Sequence, residues 1–306
     1  VLLLALVSVA GYGGTDDNGR YAVEKIPPSL RKGADAVVRL RHLRFEVKDS
    51  RYAVQIVTEA VTIFDRDRSD LGRWVQTYDN HIDIEDIQGT LYDAQGNEVR
   101  RLDDDDISDY SAISGFSIYE DTRVKRAKLM AAQVPYTVEY RYEISYDGFI
   151  NWPFWVAQEN DYPVERTRFE VLLPSSKRLR YWCNVDTLPP TITTTGGSTL
   201  YSWEATNLPQ LTSNWATENA YDVTIVVRIA PHEFEIEGTR GDMSTWKSFG
   251  QWCYGLYRNR DRLPPGAHQE VLQRIASCLT DRDKVFALYD HFQSKTRYVS
   301  VQLGLG

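Results

Sequence analysis

The sequence is poor in the residues that build cross-linked or metal-organised folds. Three cysteines (Cys183, Cys253, Cys278) and five histidines in 306 residues leave no disulfide framework and show no zinc-ligand spacing. The count is compatible with one bridge in an oxidising compartment, for which Cys253 and Cys278 are the expected pair. No apolar run approaches the ~20 residues of a membrane-spanning helix, so none is expected. A Gly-x-Ser-x-Gly elbow, a phosphate-binding Walker loop and a dinucleotide fingerprint are all missing. There is no fixed-period repeat, which excludes a propeller or solenoid. Clustered positive charge is lacking too: 35 Lys and Arg are scattered among 43 Asp and Glu, net -8. Counterion release needs basic clusters, so nucleic acid is not an expected partner.

What is present points to sheet. Hydrophobic residues make up 42% and charged residues 25%, a folded-protein balance, and aromatics reach 12% with 19 Tyr and 8 Trp. Tyr and Trp favour pleated, half-buried surfaces. From Tyr136 to Tyr146 the even-numbered residues Tyr136, Val138, Tyr140, Tyr142, Ile144 and Tyr146 fall on one face. Thr137, Glu139, Arg141, Glu143 and Ser145 fall on the other, a period of 2 that predicts a half-buried strand. Asp147-Gly148 supplies a tight-turn signal after it. Phe169, Val171 and Leu173, and later Val223, Ile225, Val227 and Ile229, repeat the alternation. Ile84 to Tyr92, a turn over Asp93-Ala94-Gln95-Gly96-Asn97 and a return through Val99 read as a hairpin. Tyr52 to Phe64 carries apolar side chains on both faces, as a strand covered on two sides does. Many short strands with turn punctuation predict a mainly β, immunoglobulin-like sandwich over residues 21–238.

The period changes after Gly238, and residues 239–306 read as helices. Ser244 is a candidate cap for a helix with Trp246, Phe249, Cys253 and Leu256 on one stripe. Asn259 to Gly266, with two prolines, ends it. Val271, Leu272, Ile275 and Leu279 mark a second helix. Thr280 and Asp283 form a capping signature before Val285, Leu288, Tyr289 and Phe292. Residues 1–20 read as the remnant of a secretory signal and a linker: Val1 to Ala10 is an apolar run closed by the small-x-small pattern Ser8-Val9-Ala10, a buried first strand being the alternative. The expected location is therefore outside the cytoplasm, periplasmic or at the cell surface.

Asp283-Lys284-Val285-Phe286-Ala287-Leu288-Tyr289, followed by Thr296-Arg297-Tyr298-Val299-Ser300-Val301-Gln302-Leu303-Gly304-Leu305-Gly306, resembles the entry to bacterial transglutaminase-like domains. The preceding part resembles the β-rich domain of unknown function found in front of such domains. The matching features are Ala34-Asp35-Ala36-Val37-Val38, the Asp93-to-Asn97 turn, Asp121-Thr122-Arg123 and Trp152-Pro153-Phe154-Trp155. The resemblance spans residues 34–306. It implies a Cys-His-Asp constellation with the nucleophilic thiol at a helix amino terminus, where exposed amides and a neighbouring His favour thiolate. In that family the Cys follows the glycine-ended strand by a few dozen residues, so it would fall after Gly306. No catalytic residue carries over onto this chain.

Other candidates have plainer readings. Cys253, with Asp290 and His291 downstream, imitates a catalytic set but sits mid-helix on the apolar stripe, where a thiol is packed rather than activated. Asp65-x-Asp67-x-Ser69 begins like a calcium loop, yet Asp70 takes the glycine position and Gln76 the bidentate-carboxylate position. Asp103 to Asp106 reads as a solvated loop. No cofactor or metal ligand is assigned. Asn151, Trp152 and Trp155, with Phe154, are the candidate binding surface for a sugar or peptide, set against the plainer reading that such aromatic clusters are core. Three functions stay open: a non-catalytic module that presents substrate to, or regulates, a downstream acyltransferase or peptidase domain; a glycan- or peptide-binding module of the cell envelope attached to a degenerate domain; and an assembly piece using its strand edges.

Overall fold

The computed structural model describes residues 19–112, 117–158, 162–211, 223–260 and 262–302. The signal-like run Val1–Ala10 and the terminal Gly304-Leu305-Gly306 lie outside the described residues. A short helix α1 (Pro28–Arg31) precedes two long strands, β1 (Ala36–Val47) and β2 (Tyr52–Ile63). Then come β3 (Arg73–Tyr78), β4 (Ile82–Tyr92), β5 (Glu98–Arg101), β6 (Ser108–Ser111), β7 (Ser117–Glu120) and β8 (Arg123–Lys128). The tyrosine strand β9 (Tyr136–Asp147) leads to β10 (Phe154–Val156), β11 (Val164–Pro174) and β12 (Arg180–Cys183). β13 (Thr191–Thr195), β14 (Ser198–Leu208), β15 (Val226–Ala230), β16 (Glu233–Ile236) and β17 (Thr239–Asp242) complete the β part. Helices α2 (Trp246–Tyr257), α3 (Pro265–Ile275) and α4 (Asp281–Lys295) and the short β18 (Ser300–Gln302) follow.

The chain is mainly β, as its composition predicts. Eight strands form one sheet in the order β13-β14-β11-β1-β2-β9-β4-β5. Every pairing in it is antiparallel except that of β1 with β11, where Leu43 lies beside Phe169 and Phe45 beside Val171. Two three-stranded sheets, β10-β15-β12 and β3-β8-β6, contribute to the core over the two halves of this sheet. Trp155 and Tyr181 of the first lie against Phe169 and Trp203, and Trp74 of the second lies against Tyr140 and Tyr142. The layers are thus one wide sheet and two small ones, rather than the two comparable sheets of the expected immunoglobulin-like sandwich.

The alternation read in β9 is borne out: Tyr136, Val138, Tyr140, Tyr142 and Ile144 are buried. Thr137 on the opposite face is buried as well, in a hydrogen bond of 2.7 Å with Thr62. The cause is an amino-terminal segment laid over that end of the sheet. Buried Arg39 donates to the Tyr21 carbonyl at 3.0 Å and to Thr62 Oγ1 at 3.3 Å, and pairs with Glu165 at 2.5 Å. Tyr21 donates to Glu139 Oε1 and Tyr92 to Glu139 Oε2. Residues 19–31 therefore belong to the folded module.

The break expected at Gly238 falls inside the hairpin β16–β17, where Gly238 (φ 71°) is in the turn. The hairpin continues to Asp242 because Glu233 pairs with Asp242 across it. The α2 cap is Thr245, one residue later than expected; its side chain accepts from the Ser248 amide. Thr280 caps α4 as its sequence predicts, accepting from the Asp283 amide. Leu279 lies beyond α3 and is 95% exposed instead of extending its stripe.

Candidate functional site

The Asn151-to-Trp155 segment divides between surface and core. Asn151 is exposed and Trp152 is half-buried, stacked on Phe149 and edge-on to Phe45. Trp155 is fully buried. Its strand β10 pairs with β15 so that Trp155 stands opposite Val227 on the inward face. There the indole stacks on Phe169 and its N–H donates to Thr167 Oγ1 at 3.0 Å. Neighbouring positions in a strand point to opposite faces, so Phe154 turns outward.

That outward face holds a row the sequence did not announce. Phe154 is in register with Arg228, and Arg228 with Trp182 of β12. The Arg228 guanidinium lies 5.3 Å from the Phe154 ring centre, and Trp182 is 55% exposed. A guanidinium between two exposed rings presents stacking surface and hydrogen-bond donors together. Arg180–Cys183 is only four residues long, too short for a periodicity to disclose which way Trp182 faces.

The eight-stranded sheet carries a second constellation on the face opposite its aromatic core. Glu170 of β11 is buried, 2.9 Å from His42 Nε2, 2.6 Å from Arg168 and 3.6 Å from Arg44. Burial opposes ionisation of Glu170, but the His42 hydrogen bond and the charges of Arg168 and Arg44 outweigh it and hold the carboxyl below its usual range. On the same face Glu46 bridges Arg44 at 2.8 Å and Lys48 at 2.7 Å, and Arg166 reaches Glu204 at 2.9 Å. The signal was legible: Arg166, Arg168 and Glu170 alternate with Thr167, Phe169 and Val171. His42 and Glu170 resemble half of an acid–base pair. Among the described residues, however, no hydroxyl or thiol is hydrogen-bonded to His42, so no nucleophile is activated there. The constellation is a network of ion pairs centred on a buried carboxylate.

Beside it lies a cleft of about 390 Å³ between the Leu188-Pro189 segment and strands β13, β14 and β11. Arg168, Glu204 and Ser202 give it polar walls, and Leu188, Pro189 and Leu200 apolar ones.

The remaining candidates fall into place separately. All three cysteines are free thiols, so the expected Cys253–Cys278 bridge is not formed. Cys253 lies in the second half of α2, away from the helix amino terminus that would activate it. His291 faces α3, with Nε2 3.5 Å from Glu270, and Asp290 is exposed. Asp103–Asp106 form a capped helical turn tied to Arg100 at 2.6 Å, and the Asp65 side chain accepts from the Asp67 amide as a local cap. Among the described residues no three His, Cys, Asp or Glu side chains are grouped to hold a metal ion. Among the described residues no helix is long and apolar enough to cross a membrane.

These features define a mainly β module with a polar sheet face and a helical extension. Residues 49–212, more than half of the chain, match the family described as a domain of unknown function with a solved structure, DUF3857, and the chain belongs to that family. Among solved structures it is similar to one named "putative protease" from Parabacteroides distasonis, with TM-score 0.62 and 12% identity over 85% of this chain and 50% of that one. At that identity the likeness concerns the fold, and this chain spans half the length of the solved protein. An M1 zinc metallopeptidase from Deinococcus radiodurans aligns over 83% of this chain and 56% of its own, at 13% identity and TM-score 0.33, too low to carry an argument. Among curated proteins none matches.

Proposed function

We propose that this chain is the non-catalytic front part of an exported transglutaminase-like or cysteine-peptidase-like protein. In this reading the β module presents substrate, and α2–α4 open a catalytic domain whose Cys, His and Asp lie beyond Gly306. The observation that carries it is the state of the helices. None of α2, α3 and α4 has a buried residue. On α4 Val285 is 65% and Phe292 62% exposed, with Phe286 and Tyr289 also exposed. An amphipathic helix is stable when its apolar face is covered; α2 meets Phe234 through Phe249 and Trp252, whereas the exposed stripe of α4 supports a missing partner layer.

The test is to express the longer reading frame and map its thiols with iodoacetamide. A downstream Cys that alkylates faster than Cys183, Cys253 and Cys278, and whose change to Ser abolishes thiol-dependent amide hydrolysis or transfer, is the expected result. A continuation without Cys, His and Asp, or activity lost on Cys253→Ser, would contradict the proposal.

A second reading, an envelope glycan- or peptide-binding module attached to a degenerate domain, is favoured by the exposed Phe154–Arg228–Trp182 row, with Asn151 nearby in sequence. Glycan binding lost on Trp182→Ala with the fold intact would support it.

A further inference from the structure

We propose that the outer edge of β13 docks an extended peptide, which adds as a ninth strand to the eight-stranded sheet and turns one uncharged side chain into the cleft beside Pro189. β13 ends the sheet, and among the described residues no strand pairs with its outer edge. All five of its residues, Thr-Ile-Thr-Thr-Thr, are exposed, Ile192 at 54%.

The hairpin geometry fixes which backbone groups face outward. Gly196 and Gly197 connect β13 to β14 with φ of 60° and 82°, positive at both positions as a two-residue type I′ turn requires. Thr195 and Ser198 flank that turn and are register partners, so they form the hydrogen-bonded pair. Thr193 with Leu200 and Thr191 with Ser202 follow at every second position. Ile192 and Thr194 are left directing N–H and C=O away from β14. Main-chain groups in that spacing match another extended main chain.

The two ends of the sheet are treated differently. At the far edge β5 carries Glu98, Arg100 and Arg101, with ion pairs of 2.8 Å from Arg101 to Glu98 and 2.6 Å from Arg100 to Asp106. Charge of that kind guards an edge against strand addition. β13 has neither charge nor proline within it, and threonine and isoleucine are strong strand formers.

The cleft supplies selectivity. Thr191 and Thr193 line it from β13, so alternate side chains of an added strand project over the same face. Its cation is already balanced: Arg168 lies 2.6 Å from Glu170 and 3.9 Å from Glu204. With the charges matched internally and Leu188, Pro189 and Leu200 as apolar walls, it accepts an uncharged side chain in preference to a charged one. A second copy of the chain fits less well. A five-residue edge buries far less than the roughly 1,200 Å² of a stable interface, which suits a transient peptide. The inference deepens the substrate-presenting role proposed above, although docking at this edge is measurable without any catalytic domain.

The experiment uses the whole 306-residue chain and a lysine-flanked peptide of alternating threonine and leucine, with a proline-interrupted version as control. Hydrogen exchange reads the Ile192 and Thr194 amides, and fluorescence anisotropy reads binding. The expected result is protection of those two amides by the alternating peptide and none by the control. Thr194→Pro removes one outward N–H without touching the bonds to β14, and should weaken binding at least about tenfold. Thr193→Lys crowds the cleft from an exposed position and should weaken it similarly, which serves if the proline variant misfolds. Absence of binding, binding that leaves Ile192 and Thr194 unprotected, or protection that follows protein concentration without peptide would each overturn the proposal. A positive result beside a failed search for a downstream Cys would keep the docking site and remove only the catalytic role.

Discussion

The Trp155 indole donates to the Thr167 hydroxyl at 3.0 Å across the interior, tying the small sheet β10-β15-β12 to β11 of the large one. A residue that reads in sequence as part of an aromatic platform is a buried fastener between layers. Its removal should therefore appear as instability. Trp155→Ala should cost about 4 kcal/mol and Trp155→Phe about 2, the latter because it leaves the Thr167 hydroxyl without its donor. Urea unfolding at neutral pH checks both. Wild-type stability with lost ligand binding would place Trp155 on a surface after all.

Glu170 predicts acid sensitivity. Its carboxyl is held below the ordinary range in the folded chain, so the folded state binds its proton less tightly than the unfolded one. Its stabilisation is fully present above the unfolded value of about 4.3 and is lost as pH falls through the folded value. Glu170→Gln should therefore lower stability near neutral pH and flatten the decline below about pH 4.5. Denaturation midpoints across pH 3–7, a range set by roughly those values, are the check. Parallel curves for the two proteins would show that His42, Arg168 and Arg44 do not act on this carboxylate.

His81 predicts the opposite slope. Burial pulls its pKa down, but hydrogen bonds to the Asp147 carbonyl and to Glu237, with the charges of Asp79 and Glu237, outweigh it and hold the imidazole above its ordinary value of 6.5. The folded state binds this proton more tightly, so the contribution is present below 6.5 and is lost as pH rises through the folded value. Because Glu237 lies in the turn of the β16–β17 hairpin, 3.3 Å from His81, the protection factors of that hairpin's amides, which correct for base-catalysed intrinsic exchange, should fall as pH rises above 6.5. His81→Gln should remove that fall in protection.

The exposed stripe of α4 predicts a substitution that is harmless in one setting and costly in another. In the 306-residue chain Phe286→Asp should change stability by less than about 0.5 kcal/mol, since the ring is 55% exposed. In the longer polypeptide it should cost about 3 kcal/mol if that face is covered. Thermal unfolding of both pairs separates the cases.

What was legible in the sequence follows from range. The β9 alternation and the Thr280–Asp283 cap each depend on residues a few positions apart, and each is where its local pattern places it. The pairing of β1 with β11 joins Leu43 to Phe169, and no local periodicity encodes a partner that distant. The immunoglobulin-like expectation failed to anticipate the wide sheet for this reason: strand number is a local property and strand order is not. Trp152 and Trp155 were conspicuous by type, yet which neighbour faces solvent depends on the register of β10 against β15. That register puts Phe154 outside, and the pairing of β12 with β15 does the same for Trp182. The Glu170 network was available as alternating charge along β11, but its burial depends on His42 and Arg44 from β1.

The central proposal is that α2–α4 open a domain completed further along the polypeptide. Hydrogen exchange of the α4 amides, compared between this chain and the longer reading frame, tests it most directly. Protection rising by at least about a hundredfold in the longer protein, on the order of 3 kcal/mol of added local stability, is the predicted result. Equal protection in the two would contradict the account, because the helices would then need no partner layer.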